Sequence, residues 1–535
     1  MQGLITGQRL YKCFVLSILA LLLLIPSSAC IKTTSFTDNT ETTSSHPNNT
    51  PLLSSPNSPS LTLISTPDGV TGSIGSAGYP GYPTAFNRPQ INDLGQVCFA
   101  STASNLTGSL SSGFEQQYLW NAQDGLKFII NQNVLTPDAN NELFPSIVMP
   151  SISQLQINNN GQMAFCSNSS NLPGANGFYQ IYYWDKEDGI ILVFSPDGET
   201  GASGPFVSIN DPVGSIHPKM NDEGQIVFES NAKNLPGSDV EGAIQLYFWD
   251  RNSGVSLIST ADGITGAKNS EYGYSVYYGY EINDAGQVVF DTVTENLCTG
   301  GNYYAQIYYW DLENGLTLVS SPDGFSGGSG FSTNPQINNA GQIVFMSDVA
   351  DFPNASSDGS FQIYLWSMQD GFRLISAIDG LCSGISRFPQ INDSGQVVFA
   401  SNVSNLPGTS KDGSFQIYLW DYEQGTILIS SPDSVVCGNG GDSRIAQIND
   451  SGQIIFESQA INLPNASLNG SRSLYFWDPE DGISLVAHGL VFGDYSAQIN
   501  NHGQIVFESN AHIYLELMGF IKFISGVHND FCGSK

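Results

Sequence analysis

The amino-acid sequence predicts an all-β protein that forms a single closed β-propeller of about eight four-stranded blades. A Gly-Gln step recurs eight times, and all seven tryptophans occupy one register of the repeated unit. No segment carries a convincing amphipathic helical period. A chain of 535 residues would otherwise suggest several domains, but repeated units share one continuous core. The glutamines of the repeated step are Gln96, Gln162, Gln225, Gln287, Gln342, Gln396, Gln453 and Gln504.

Each unit is predicted to contain four short strands, called a to d, and residues 389–430 are a representative copy. Strand a is the Pro-Gln-Ile segment, and the Asn-Asp-Ser-Gly group after it is a tight turn. Strand b is Gln-Val-Val-Phe-Ala-Ser, strand c is Gln-Ile-Tyr-Leu-Trp-Asp, and strand d lies near Leu-Ile-Ser. Strands b and c are apolar on both faces, which favours blades stacked around an axis over a sheet with one wet face.

The propeller is predicted to span residues 61–526, followed by a C-terminal tail, 527–535. Two segments compete to complete the last blade: the early d-type strand Leu61–Ser65 and the late one, Phe520–Ser525. We favour the N-terminal strand, because joining the two termini protects the closing edge of the sheet.

The N-terminus is typical of an export signal over residues 1–29. Arg9 and Lys12 precede a 13-residue apolar run, Cys13–Ile25, which is short for a membrane span. Small residues and then Cys30 follow, as at a lipoprotein processing site, so we expect Cys30 to be lipidated. Residues 30–60 would then be a disordered tether rich in Ser, Thr, Pro and Asn. The predicted location is the cell envelope, with a membrane anchor at Cys30; ordinary cleavage and secretion is the alternative.

The net charge of −32 arises from 17 basic and 49 acidic residues. Such a surface repels phosphate backbones and anionic lipid heads, and the sequence shows no basic cluster. We therefore expect no nucleic-acid partner and no membrane contact beyond the anchor. We expect the protein to be a monomer.

The Phe-Ala-Ser, Asn-Leu-Pro-Gly, Ile-Tyr-Leu-Trp-Asp and Ile-Ser elements of residues 399–430, with their seven relatives, resemble the WD-repeat-like propeller repeats of the TolB type. The resemblance covers roughly residues 61–526. It implies a propeller in an exported bacterial protein. It does not single out one activity, because that family includes binding scaffolds, periplasmic partners and enzyme domains. The Gly-His element of true WD repeats is absent.

Three patterns in the repeat have both a structural and a functional interpretation. We expect the Tyr and Trp register of strand c, and the Phe of strand b, to pack in the core. The polar residues of strand a either line the axis as a ligand ring or satisfy backbone groups, which we favour. The Asp-Gly connectors are better explained by turn chemistry than by calcium, so no cofactor is predicted. The strand-a residues are Gln90, Gln156, Lys219, Glu281, Gln336, Gln390, Gln447 and Gln498, of which Lys219 and Glu281 are candidates to pair with each other.

No catalytic motif is evident, and a non-catalytic binding scaffold for a protein or glycan ligand is the leading functional prediction. The six histidines form no recognisable nucleophile or zinc motif. An extracytoplasmic carbohydrate-active hydrolase or lyase is the alternative, since paired carboxylates are available in so acidic a chain. A structural partner within a cell-envelope complex is a third reading.

The predicted ligand-binding surface lies at the end of the propeller that carries the long b–c and d–a connections. The a–b and c–d turns stay short, so sequence variation concentrates at this opposite end. Two of its loops crowd tyrosines among glycines, and tyrosine suits recognition because it offers contact area at low entropy cost. These residues are Tyr272, Tyr274, Tyr277, Tyr278, Tyr303 and Tyr304. The competing interpretation is that their rings order the loops by packing on their own blade.

Cysteine use is sparse and shows no metal-type spacing. Cys382 and Cys437 lie in equivalent connectors of adjacent blades and would form a disulfide if their Cα atoms come within about 7 Å. Cys98 and Cys166 are expected to remain unlinked.

Overall fold

The structure is a computed structural model, and it describes the repeated part of the chain with gaps at the connections. The described ranges are 62–65, 89–101, 106, 116–131, 155–168, 172–176, 178–193, 214–238, 244–259, 277–292, 304–320, 330–356, 359–376, 384–409, 413–430, 441–467, 471–488, 497–508 and 521–522. Over these ranges the chain forms strands and turns without a helix. Accordingly, no described helix has the length and apolar character needed to cross a membrane.

The fold is a β-propeller with seven four-stranded blades, each an antiparallel meander in sequence order a-b-c-d. Strand β1 (Thr62–Leu63) precedes them. Blade 1 contains β2 (Gln90–Ile91), β3 (Val97–Ser101), β4 (Gln116–Asn121) and β5 (Gly125–Asn131). Blade 2 contains β6 (Gln156–Ile157), β7 (Met163–Ser167), β8 (Gln180–Asp185) and β9 (Gly189–Leu192). Blade 3 contains β10 (Ser215–Met220), β11 (Ile226–Ser230), β12 (Gln245–Asp250) and β13 (Gly254–Leu257). Blade 4 contains β14 (Tyr277–Ile282), β15 (Val288–Thr292), β16 (Gln306–Asp311) and β17 (Gly315–Leu318).

The remaining blades repeat the same plan. Blade 5 contains β18 (Ser332–Ile337), β19 (Ile343–Ser347), β20 (Gln362–Ser367) and β21 (Gly371–Leu374). Blade 6 contains β22 (Ser386–Ile391), β23 (Val397–Ser401), β24 (Gln416–Asp421) and β25 (Gly425–Leu428). Blade 7 contains β26 (Ser443–Ile448), β27 (Ile454–Ser458), β28 (Ser473–Asp478) and β29 (Gly482–His488). The predicted strand order is confirmed, although the d strands begin at the turn glycine, earlier than expected.

The prediction of about eight four-stranded blades is wrong: the described residues form seven. Repeat 8 contributes a two-stranded antiparallel sheet of β30 (Ala497–Ile499) and β31 (Ile505–Phe507). This repeat has Glu516 where the other repeats carry the strand-c tryptophan, and so lacks the indole that elsewhere packs between blades. Both terminal segments that compete for ring closure meet here, because β1 pairs in parallel with β32 (Ile521–Lys522).

Aromatic side chains pack within and between the blades, which confirms the core interpretation of their register. In each four-stranded blade the strand-b phenylalanine stacks on the strand-c tyrosine, with ring centroids 5.4–6.1 Å apart. Between blades, the residue before one tryptophan contacts the next tryptophan, as in Phe248 with Trp310 at 5.2 Å. Strand b is almost entirely buried. Aromatic side chains therefore pack on both faces of each blade.

A buried asparagine in each a–b turn connects neighbouring repeats. Asn392 illustrates the arrangement: its Nδ2 donates to Gln396 Oε1 and to the backbone carbonyl of Asn449 in the next repeat, both at 2.9 Å. Its Oδ1 accepts from the backbone N–H of Gln396. All eight repeats make the cross-repeat bond at 2.8–3.0 Å, and Asn500 donates to the Asn92 carbonyl. The bonds form a closed ring, in which the sheet of repeat 8 lies between blade 7 and blade 1.

The Gly-Gln step has a steric explanation in the same contact. Gly395 adopts φ +78°, and a Cβ placed on it would lie 2.9 Å from Oε1 of Gln342 in the preceding repeat. The same approach, at 2.8–3.1 Å, recurs at every a–b turn glycine, including Gly95 against Gln504 across the seam. The positive backbone angle favours glycine, and a Cβ would also displace a glutamine oxygen that accepts from the ring asparagine of its own turn, as Gln342 does from Asn338.

Replacing Gly395 with alanine should destabilise the protein more than the same change at Gly425. Both residues have positive φ, near +78° and +69°, so both substitutions incur a left-handed backbone cost of roughly 1–2 kcal/mol. Only Gly395 is crowded, since nothing lies within 4 Å of a Cβ at Gly425. Denaturant unfolding of the two variants measures the difference. Equal losses would contradict the inter-repeat contact.

Candidate binding site

The turn end of the propeller has a nearly symmetric axial cavity of about 360 Å³. Each repeat lines it with an Ile or Met, the ring asparagine and one further Asp or Asn. The last group forms a second closed ring, in which each backbone N–H donates to Oδ1 of the equivalent residue in the next repeat at 2.7–2.9 Å. Its members are Asp93, Asn159, Asp222, Asp284, Asn339, Asp393, Asp450 and Asn501.

The five aspartates of this ring are engaged by neighbouring repeats. Asn339 Nδ2, for example, donates to Asp284 at 2.7 Å and to Asp393 at 2.8 Å. Amides placed between carboxylates relieve their repulsion by hydrogen bonding. Within the described ranges no group of three or more His, Cys, Asp or Glu side chains is arranged to hold a metal ion. The two rings of hydrogen bonds at this end join each repeat to the next.

The polar residues of strand a, one layer further along the axis, mostly bond to each other and to the backbone. Lys219 Nζ lies 2.7 Å from Glu281 Oε1, so the predicted pair forms across adjacent blades. Gln498 Nε2 donates to Gln90 Oε1 at 2.9 Å across the seam, and Gln447 donates to the Ala497 carbonyl at 3.0 Å. These contacts support the structural interpretation of the layer over a ligand ring.

Strand a bends before it reaches the loop end, where the b–c and d–a connections emerge. The register between strands a and b shifts by one residue in blades 3 to 7, as in a β-bulge. In four of them the bulged residue is not glycine yet has positive φ: His217, Asn334, Phe388 and Ile445, at 53–57°. For Phe388 and Ile445 this conformation is unusual and must be held by the surrounding structure. The bulge re-aims the side chains beside it.

Two arginines directly before bulged residues converge on one ring at the loop end. The Arg387 and Arg444 guanidinium carbons lie over the Phe415 ring, 5.5 and 5.2 Å from its centroid. Phe415 ends the connection into strand c of blade 6, and its carbonyl accepts the Ser443 N–H of blade 7 at 2.9 Å. The blade 6–7 junction thus positions the ring between two a strands. We call Arg387, Phe415 and Arg444 the arginine–phenylalanine cluster.

A small polar pocket of about 110 Å³ adjoins the cluster in blade 7. Arg444 Nη2 lies 2.5 Å from Asp442 Oδ2, and Arg472 Nη1 lies 3.5 Å from the buried carboxylate of Glu457. Asp442 Oδ1 also accepts the Phe415 N–H at 2.9 Å, which ties the pocket to the ring. The lining residues are Asp442, Arg444, Glu457, Ser458, Gln459 and Arg472.

The predicted tyrosine patch is only partly within the described residues. Tyr272, Tyr274 and Tyr303 lie outside them. Tyr277 and Tyr278 begin strand β14, where Tyr278 occupies the strand-a register position of Arg387 and Arg444. The Tyr304 ring packs edge-on against Phe331, which directly precedes strand β18 of the next blade, with centroids 4.9 Å apart.

Sequence reasoning missed the arginine–phenylalanine cluster because its members are far apart in the chain. The sequence showed no basic run, and the fold nevertheless gathers three of the seven arginines near one junction. One signal in the sequence could have indicated the cluster. Two neighbouring repeats carry arginine, Arg387 and Arg444, at a strand-a position that holds Ile216 in blade 3 and Thr333 in blade 5.

The cysteine predictions are tested only in part. Cys98 and Cys166 are free and buried, as expected. Burial raises the pKa of the Cys98 thiol far above its ordinary value. Cys382 and Cys437 lie outside the described residues, as does Cys30, so the disulfide and the lipid anchor stay predictions.

Comparison with known proteins gives a partial family match and distant structural similarities. A model for a family of unknown function, DUF7453, matches residues 58–263. No curated protein matches the sequence. The TolB-type resemblance therefore stays a prediction.

Several solved structures match parts of this chain at low similarity. A structure from work on two prolyl endopeptidases is 10% identical, with a TM-score of 0.41 over 78% of this chain and 52% of that one. The acylaminoacyl peptidase of Pyrococcus horikoshii is 14% identical, with a TM-score of 0.37 over 77% and 54%. A Lactobacillus plantarum protein is 9% identical, with a TM-score of 0.34 over 75% and 97%. The chain spans about half the length of the two peptidases, and these scores assign it no activity.

Proposed function

We propose that the protein is a non-catalytic binding propeller, displayed outside the cell, that recognises a protein or glycan ligand at its loop end. The carrying observation is the contrast between the two ends. The turn end repeats one hydrogen-bonded plan eight times, whereas the loop end of strand a carries different residues in different blades. Recognition by variable groups on a rigid scaffold is the usual division of labour in such folds.

A ring closed through the two-stranded sheet of repeat 8 is the architecture that we propose for this scaffold. The hydrogen bonds of Asn500 to the Asn92 carbonyl and of Asn501 to Asp93 support it, since both cross the seam with the geometry of the other junctions. The pairing of β1 with β32 supplies two further strands near β31. A seam of this kind stabilises the ring without exposing a sheet edge.

We propose export through residues 1–29 and membrane attachment through lipidated Cys30, with residues 31–60 as a tether. The support is the sequence alone: a short apolar run after basic residues, followed by small residues and a cysteine. A lipid anchor would hold an acidic propeller near a surface that its charge otherwise repels.

Replacing Cys30 with serine should release the full chain from membranes into the soluble fraction. The physical reason is that the acyl chains would be the only part of the protein that partitions into lipid. Fractionation, with metabolic lipid labelling of the wild type, measures this. A variant that still sediments with membranes, or an unlabelled wild type, would refute the anchor.

The double variant Tyr274→Ala, Tyr278→Ala should weaken ligand capture and leave the melting temperature nearly unchanged. Lost aromatic anchors weaken binding by roughly 1–3 kcal/mol. The probe is whichever immobilised glycan or envelope protein retains the wild-type full chain in an array screen. The matched control is Tyr422→Ala, which removes an exposed tyrosine at the turn end. A lower melting temperature with unchanged capture would show that the rings only pack.

A further inference from the structure

We propose that the arginine–phenylalanine cluster and its adjoining pocket bind the carboxylate of an acidic sugar, a uronate-type residue of a glycan. The inference rests on the proposed function, because it assigns a ligand class to the loop end. It uses a different part of that end from the tyrosine patch.

The local charge at this junction is opposite to that of the molecule as a whole. The described charged groups are three guanidinium groups, of Arg387, Arg444 and Arg472, against the carboxylates of Asp442 and Glu457. The chain has a net charge of −32. With a screening length of about 8 Å at physiological salt, a bound anion responds mainly to these nearby groups. A single anionic group is therefore accommodated where a long polyanion would be repelled.

The fold does not require arginine at these positions. The equivalent strand-a residues are Ile216 in blade 3 and Thr333 in blade 5, and both blades keep the same register and bulge. The position of Phe415, before strand c, is likewise filled by Ala305 in blade 4 and Arg472 in blade 7. Blades 6 and 7 have thus acquired adjacent arginines around one ring without a structural demand for them.

The guanidinium groups are held in place and keep donors available. Arg387 makes no ion pair with any described residue, and Arg444 pairs with Asp442 through Nη2 alone among the described residues. Stacking over an aromatic face uses the π-system of a guanidinium, while its N–H groups point outward in the plane of the group. Planar forks of this kind match a carboxylate, which accepts two parallel hydrogen bonds.

The pocket favours a sugar over a peptide as the carrier of that carboxylate. Its volume of about 110 Å³ is below the ~300–1,000 Å³ of sites that enclose a whole small molecule, so it suits one residue of a chain. Asp442 offers acceptors for hydroxyl groups and Gln459 offers both donors and acceptors, while the buried Glu457 and Ser458 form the floor of the pocket. Acceptors beside guanidinium groups suit a ligand that carries several hydroxyls and one anionic group.

The test compares two sugars that differ only in the group of interest, methyl β-D-glucuronide and methyl β-D-glucoside. Titration of the full chain by ligand-observed NMR should give at least about tenfold tighter binding of the glucuronide, the scale of a charge-assisted hydrogen bond. Arg387→Gln and Arg444→Gln should each remove most of that preference. Arg387→Lys should also lose most of it, because lysine keeps the charge without the planar fork.

Arg373→Gln is the matched control, since Arg373 also stacks on aromatic rings, those of Trp420 and Tyr422, but near the opposite, turn end. It should leave the preference for the glucuronide intact.

Equal binding of the two sugars, or a loss of preference in Arg373→Gln as large as in the other arginine variants, would overturn the site. Binding of N-acetylglutamate α-amide as tight as the glucuronide would instead indicate a peptide carboxylate and overturn the sugar assignment. If the arginine substitutions leave the glucuronide preference unchanged while the Tyr274→Ala, Tyr278→Ala variant still weakens ligand capture, this inference is refuted and the proposed function stands.

Discussion

The cross-repeat hydrogen bond from one buried asparagine amide determines how the rest of the structure is arranged. Each amide is shared between the glutamine of its own turn and the backbone carbonyl of the next repeat. Because both partners are buried or nearly so, an unmade bond would leave polar groups without water. The distance between strand-a turns is thereby nearly the same at every junction. Aromatic stacking then fills the space between blades, with the Phe248–Trp310 contact as one example.

The repeated hydrogen bonds of the turn end hold the blades together, which allows residue types at the loop end to vary. The ring bonds, the turn glycine and the packed glutamine all lie at the a–b turns, so a substitution there acts on the junctions of that repeat with its neighbours. At the loop end, the strand-a register position of the two arginines is variable among the described blades, since it holds an isoleucine in blade 3, a threonine in blade 5 and arginines in blades 6 and 7. Binding groups therefore accumulate where the scaffold tolerates them. The arginine–phenylalanine cluster is such a group, since it uses the blade 6–7 junction without being needed to build it.

The sequence was sufficient to predict the blade plan but not the site. Strand order, turn type and the buried Phe, Tyr and Trp register follow from periodicity, because packing on both faces forces those residue types. The Lys219–Glu281 pair was also predictable, since two deviations from glutamine fell in adjacent repeats. The blade count was wrong because the Gly-Gln steps count a–b turns, of which there are eight, and not four-stranded blades, of which the described residues form seven. The cluster was missed because Arg387, Phe415 and Arg444 meet only through the cross-blade contact of Phe415 with Ser443.

Ring closure through repeat 8 is tested most directly by comparing Asn500→Ala with Asn392→Ala. Asn500 bonds across the seam to the Asn92 carbonyl at 2.8 Å, and Asn392 bonds within the array to the Asn449 carbonyl at 2.9 Å. If the ring is closed, each change leaves equivalent buried groups unpaired. Each should then lower the free energy of unfolding by a similar amount, on the order of 1–3 kcal/mol in denaturant titrations. A full loss for Asn392→Ala with almost none for Asn500→Ala would mean that the seam is open and contradict the account.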